Sequence, residues 1–282
     1  MASILWQTVR GASRSLSSVL AFTVAFSGGV SLPGIATAQA AARDGKDDAL
    51  YTIKRVYKAL DADRYRVGLK MNIESPNGAI DMLETMVMKE TTKAAKDDGS
   101  ATSIFDFESA SVTVNGMDID ITSMLPKITT TRDKNGKSDV KVEGGSEQLT
   151  AQMGDQVKQY TNFGAGFIPA KPVKVGDSWD VNAADFGGKD QNVKGKVTLV
   201  SVDTVKGVKV AKLKSMMDIT SGTDTKMHSE STSLIDLATG KALSMTSKTD
   251  GDAGGGKISM EVTMKLLGPD DKAGAKETIK KL

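Results

Sequence analysis

Apolar and polar residues alternate with a period of two along most of this chain. From Tyr65 the odd positions Tyr65, Val67, Leu69, Met71 and Ile73 are apolar, with Arg66, Gly68, Lys70 and Asn72 between them. This is the pattern of a strand with one buried face. Ser75-Pro76-Asn77-Gly78 reads as a turn, because proline presets φ and Asn-Gly tolerates positive φ. A second strand runs from Ile80 to Glu90 and is apolar in part on both faces. Leu83 and Val87 oppose Met82, Met86 and Met88, as in a central or bulged strand. Tyr51 to Lys58 reads as a strand ahead of these, separated from them by the polar loop Asp61-Ala62-Asp63. Leu50, Ile53, Val56, Tyr57 and Leu60 also fit a helical stripe.

Further strands are expected after the Asp97-Asp98-Gly99 turn, at Ile104 to Glu108 and Ser111 to Val114. Met117, Ile119 and Ile121 alternate with Asp118 and Asp120. Lys134-Asn135-Gly136 has the composition of a hairpin turn. One helix is predicted over 147–162. Ser146 serves as N-cap, and Leu149, Met153, Val157 and Tyr160 recur at spacings of three and four. Strands return at Val193–Val202, Val208–Thr220, Thr225–Asp236, Lys241–Thr249 and Lys257–Leu267, with turns at Lys206-Gly207 and Ala238-Thr239-Gly240.

Short turns between successive strands imply antiparallel pairing, since parallel strands need long crossovers. The predicted fold is mainly β: a large, curved antiparallel sheet, a half-barrel or open barrel. Its one main helix packs on the concave face, because a one-sided sheet needs cover. Residues 41–282 form a single β-rich domain, with a flexible, charged tail from about Pro269.

The first forty residues stand apart from this pattern. Arg10 and Arg14 precede an apolar stretch from Val19 to Leu32. The small-residue sites Ala36-Thr37-Ala38 and Ala38-Gln39-Ala40 follow, and no acidic residue occurs before Asp44. A basic start, apolar middle and small-residue exit describe a secretory signal peptide, with cleavage after Ala38 or Ala40. The stretch is too short for a confident membrane span, which needs about 20 apolar residues. The expected location is therefore periplasmic or extracellular in a bacterium.

The signal holds two of the 37 Lys and Arg and none of the 35 Asp and Glu, so the remaining chain has a formal charge of zero. That gives no basis for nucleic-acid binding. Cysteine is absent, which excludes disulfides, thiolate metal sites, Cys nucleophiles and a lipidated cysteine.

The segment Ile168-Pro169-Ala170-Lys171-Pro172-Val173-Lys174-Val175-Gly176-Asp177-Ser178-Trp179, with Asp236-Leu237-Ala238-Thr239-Gly240-Lys241, resembles a group of exported bacterial β-rich proteins. They share a P-V-K-V-G-D-S-W signature and a D-x-x-T-G hairpin, and the resemblance implies no activity. At the level of fold the expected architecture is also similar to Lol-type lipoprotein carriers and lipid-carrier lipoproteins, an analogy that names no ligand. Physically, Pro169 and Pro172 favour extended backbone, Gly176-Asp177 suits a tight turn, and Trp179 is a bulky anchor at the start of a strand.

The catalytic inventory is thin. His228 is the only histidine, no G-x-S-x-G elbow exists, and zinc sites built from Cys and His are out of reach. Asp250-Gly251-Asp252 and Asp133-Lys134-Asn135-Gly136 are read as turns, since neither has a full calcium-loop spacing. Asp118 and Asp120 are read as a solvated strand face. No cofactor, metal or enzymatic activity is expected.

Methionine is the enriched residue, at 14 in the chain, and its side chain repacks readily around flexible apolar ligands. The expected function is an exported envelope protein that carries or binds a lipid or other apolar molecule. Leu69, Met71, Met82, Met86, Trp179, Met260 and Met264 are the candidate lining. Two alternatives stand beside it. One is a structural or interaction module of the envelope with a protein partner and no ligand. The other is an enzyme using carboxylates alone, such as a glycoside hydrolase.

Overall fold

A computed structural model describes residues 49–76, 78–134, 138–145, 167–181, 191–221, 225–253 and 255–271. Its strands follow the alternation. They are β1 (Ala62–Ser75), β2 (Gly78–Ala95), β3 (Ala101–Val114), β4 (Met117–Asp120), β5 (Lys127–Arg132), β6 (Ser138–Glu143), β7 (Ser178–Val181), β8 (Gln191–Val205), β9 (Val208–Ser221), β10 (Thr225–Asp236), β11 (Ala242–Ala253) and β12 (Gly256–Leu267). A single 3-10 turn, Thr122–Met124, follows β4.

All twelve strands belong to one antiparallel sheet in the order β6-β5-β3-β2-β1-β12-β11-β10-β9-β8-β7, with β4 paired to β3 beside that path. Two meanders, β1 to β6 and β7 to β12, join where β1 meets β12 along eleven register pairs from Arg64↔Leu267 to Glu74↔Lys257. Among the described residues β6 and β7 are the two edges and do not pair, so the sheet is open.

One face of the sheet is buried and the other is wet. On β12, Met260, Val262 and Met264 are buried, whereas Ser259, Glu261 and Lys265 are exposed. The same parity holds from strand to strand, because antiparallel partners in register point to the same side. The inner residues of both meanders fall in one apolar cluster that includes Val67, Leu69, Met86, Val197, Leu199 and Met217. Gly251 sits on this face by necessity: a Cβ there would lie 2.1 Å from the Lys226 carbonyl oxygen on β10.

Several expectations need correction. Tyr51–Lys58 is not a strand of the sheet. It is an extended strap with one isolated bridge, Tyr51↔Val173. Its alternation has a strand-like origin all the same, since Ile53 and Arg55 are buried where the strap lies against the protein. Asp61-Ala62-Asp63 is not wholly loop: β1 begins at Ala62, and Asp63 is buried. Ile104–Glu108 and Ser111–Val114 form the single strand β3, with a register shift opposite Val87/Met88 on β2. The apolar residues of β4 are not buried, and Met117 and Ile119 face solvent. Asp250 and Asp252 lie within β11 rather than in a turn. The helix expected over 147–162 falls outside the described residues, as do the first forty residues and the tail beyond residue 271.

Candidate functional site

The register places the candidate lining residues abreast. Met82, Met71 and Met260 stand side by side on β2, β1 and β12. Two inner positions along, Met86, Val67, Met264 and Met245 form a second row across β2, β1, β12 and β11. Leu69 lies between the two rows. All six of the candidate aliphatic and thioether residues are buried, from Leu69 at 0 % to Met260 at 7 % exposed. Trp179, on the far edge strand β7, is partly buried against the same cluster. The structure therefore brings Leu69, Met71, Met82, Met86, Met260 and Met264 into one patch and sets Trp179 several strands away.

The row containing Leu69 carries buried polar residues on several strands. Leu69 is flanked by Glu84 on β2 and Val262 on β12. From Val262 the row continues through Ser247, Ser231 and Ser215 on β11, β10 and β9, then reaches Val197 and Trp179. Ser215 and Ser231 of this row bond to each other at 2.7 Å, and in the adjacent row the Thr249 hydroxyl donates to Ser229 at 2.9 Å. The two ends of the row differ. Both carboxyl oxygens of Glu84 and the indole nitrogen of Trp179 are buried with no hydrogen-bond partner. Burial alone pushes the Glu84 carboxyl up to about 8, so it is mostly protonated at neutral pH.

A second polar cluster fastens one end of the sheet. Arg55, on the strap, meets Asp63 at 2.9 Å and Glu90 at 3.5 Å. Lys241 Nζ lies 2.6 Å from Asp63 and 2.7 Å from Asp61. Burial opposes the Arg55 charge, but Glu90, Tyr65 and Asp63 outweigh it and hold the guanidinium more firmly protonated than usual. Burial drives the Glu90 carboxyl upward against the pull of Arg55.

Both signature segments grip this strap. Val173 exchanges backbone hydrogen bonds with Tyr51 at 2.7 and 3.0 Å, and Thr239 accepts from the Val56 amide at 2.8 Å. Asp177 turns the first segment by accepting the Lys174 amide at 2.8 Å. Asp236 holds the second by accepting the Thr239 hydroxyl at 2.6 Å and the Ala238 amide at 2.9 Å. The motifs are thus fastenings and make no reactive constellation.

The remaining candidates are solvated. His228 is exposed on the outer face, 2.8 Å from Asp218, whose hydrogen bond raises the imidazole above its ordinary value. Asp120 caps the Thr122 amide, and Asp118 accepts from Thr113. Among the described residues no group of three or more metal-ligating side chains converges, and no helix is long and apolar enough to cross a membrane, which says nothing of strands. A surface cleft of about 660 Å³ opens between the β2–β3 turn and the facing ends of β5 and β6, and includes none of the candidate lining.

Sequence reasoning missed Arg55, Glu84, Glu90 and Lys241. One signal was present: Glu84 and Glu90 share the parity of Met82, Met86 and Met88, which puts two acids on an apolar face.

No family model matches the chain, and no curated protein matches it. Among solved structures it is similar to DynF of the dynemicin biosynthesis pathway of Micromonospora chersina, at 11 % identity over 85 % of this chain and 96 % of that one, TM-score 0.21. It is similar to the hypothetical lipoprotein YmcC of Escherichia coli, at 14 % identity over 77 % and 92 %, TM-score 0.25. A Vibrio parahaemolyticus domain described as that of an outer membrane lipoprotein-sorting protein gives 8 % identity over 74 % and 87 %, TM-score 0.17. Identity and TM-score are low in each case, and the likeness is distant.

Proposed function

We propose that the protein is exported and binds a lipid or other apolar molecule against the inner face of its sheet, as a carrier or binder and not as a catalyst. The observation that carries this reading is the methionine wall. Met82, Met71 and Met260 stand abreast on adjacent strands, and Met86, Met264 and Met245 lie in a parallel row on the far side of the Leu69 row. Unbranched thioether side chains change rotamer at little cost and so accommodate flexible apolar chains. Open sheets wider than about ten strands curl, and a curled sheet turns this wall inward as the lining of a trough. The basic, apolar and small-residue sequence of the first forty positions supports delivery to the periplasm or beyond.

A second reading has an observation of its own. Met71, Met82, Met86 and Met264 are at most 4 % exposed, as in a packed interior. That burial favours an envelope interaction module that binds a protein partner.

Native mass spectrometry of the protein purified from an exporting host separates the two. A reproducible added mass, released as lipid by solvent extraction, is the expected result. A bare mass, with no uptake of the apolar fluorophore N-phenylnaphthylamine, overturns the carrier reading in favour of the packed module.

A further inference from the structure

We propose that the inner wall selects apolar molecules bearing a protonated amine, and that Glu84 is the residue that recognises the amine. The proposal rests on the apolar-binder reading and adds a headgroup to it.

Glu84 is 1 % exposed, and neither of its carboxyl oxygens has a partner. From β1 it faces Leu69 and from β3 Val112, while Met82 and Met86 flank it along its own strand. None of these titrates, and burial pushes its carboxyl up, with no charged group among the described residues contributing. A buried carboxyl so placed opposes folding, and packing alone would favour an apolar residue there.

Glu90 shows what the chain does when an acid on this face is structural. It lies six residues further along the same strand, roughly 20 Å away, and Arg55 is supplied to it at 3.5 Å. Among the described residues no cation is supplied to Glu84. Its two oxygens can accept several N–H donors, and an ammonium group brings both the donors and the missing charge. A fatty acid or phosphate head would instead bring an anion, and no N–H donors, to a buried site where no described cation can share it. The apolar tail of an amine bound here lies over Met71, Met82 and Met260.

Binding then moves one proton. The neutral carboxyl loses its proton to solvent as it forms a charge-assisted hydrogen bond to the ammonium group, which keeps all of its own protons.

The test is calorimetric titration of the full exported protein with dodecylamine, dodecanol and dodecanoic acid. It is run at neutral pH in two buffers of different ionisation enthalpy. Dodecylamine is expected to bind at least about tenfold more tightly than dodecanol and to release about one proton per site. Glu84→Gln is expected to bind the two alike and release none. Equal affinity for amine and alcohol, or a preference that survives in Glu84→Gln, overturns amine recognition and leaves the apolar-binder reading standing. Failure of all three probes to bind overturns both. Should Glu84→Gln not fold, the proton count on the unsubstituted protein decides alone, and zero release overturns the proposal.

Discussion

The carbonyl oxygen of Lys54 lies 1.9 Å from the point a Cβ would occupy on Gly240. The strap and the β10–β11 hairpin therefore touch backbone to backbone, and Gly240 also holds a φ of +65°. Gly240→Ala must push the strap away and force alanine into the left-handed region. The expected loss is about 2–5 kcal/mol, measured by urea unfolding. A loss within error would mean that the strap is not seated on the hairpin.

The charges beneath the strap are unequal in importance. Arg55 is buried against Asp63 at 2.9 Å and Glu90 at 3.5 Å. Arg55→Met takes the paired cation from buried Glu90 and leaves Asp63 with Lys241 alone, and should cost about 3–5 kcal/mol. Glu90→Gln leaves the closer Arg55–Asp63 pair intact and should cost less than about 1.5 kcal/mol. Chemical denaturation of both variants checks the order, and equal losses would show that the two acids share the guanidinium evenly.

Glu84 makes stability fall as pH rises. Its carboxyl titrates near 8 when folded and at its ordinary value of 4.5 when unfolded, so between these values the folded state holds the extra proton. Stability is therefore lost progressively from about pH 5 to pH 8, by about 4 kcal/mol as an upper bound. Glu84→Gln cannot titrate, and its margin over the unsubstituted protein should widen across that window. The two pH profiles should diverge; profiles that stay parallel would mean that Glu84 does not hold the extra proton when folded.

His228 offers a clean spectroscopic signal because it is the only histidine. The hydrogen bond that the imidazole donates to Asp218 raises its pKa above 6.5, and an NMR titration should show this. Asp218→Asn should bring the value back down. The associated stabilisation is present below about 6.5 and disappears as pH rises through the folded value. On an exposed face it amounts to less than about 0.5 kcal/mol.

The strands were legible because the pleat itself writes period two into the sequence. Tyr65–Ile73 and Ile258–Leu266 show it cleanly, and both are strands. The same signal misled at Tyr51–Lys58, since any extended chain lying on a protein surface buries alternate side chains whether or not it joins a ladder. β5 was hard to see because its Thr129-Thr130-Thr131 run has no hydropathy contrast. Pairing could not be read from pattern, and so neither could the candidate site. Met71 and Met260 become neighbours only through the β1–β12 register. The parity of Glu84 was visible in the sequence, but its isolation from every cation is a property of three dimensions.

The junction between β1 and β12 also governs when the molecule can form. Its first strand waits for its last: Arg64 reaches the Asp271 carbonyl across 207 residues of sequence. Contacts this remote demand loop closure before any gain in energy, and they slow folding. Until β12 arrives, β1 presents an open edge that can pair with other chains. A chain built this way cannot close its sheet until its C-terminal strand has been made, and the waiting edge of β1 is where aggregation has to be held off.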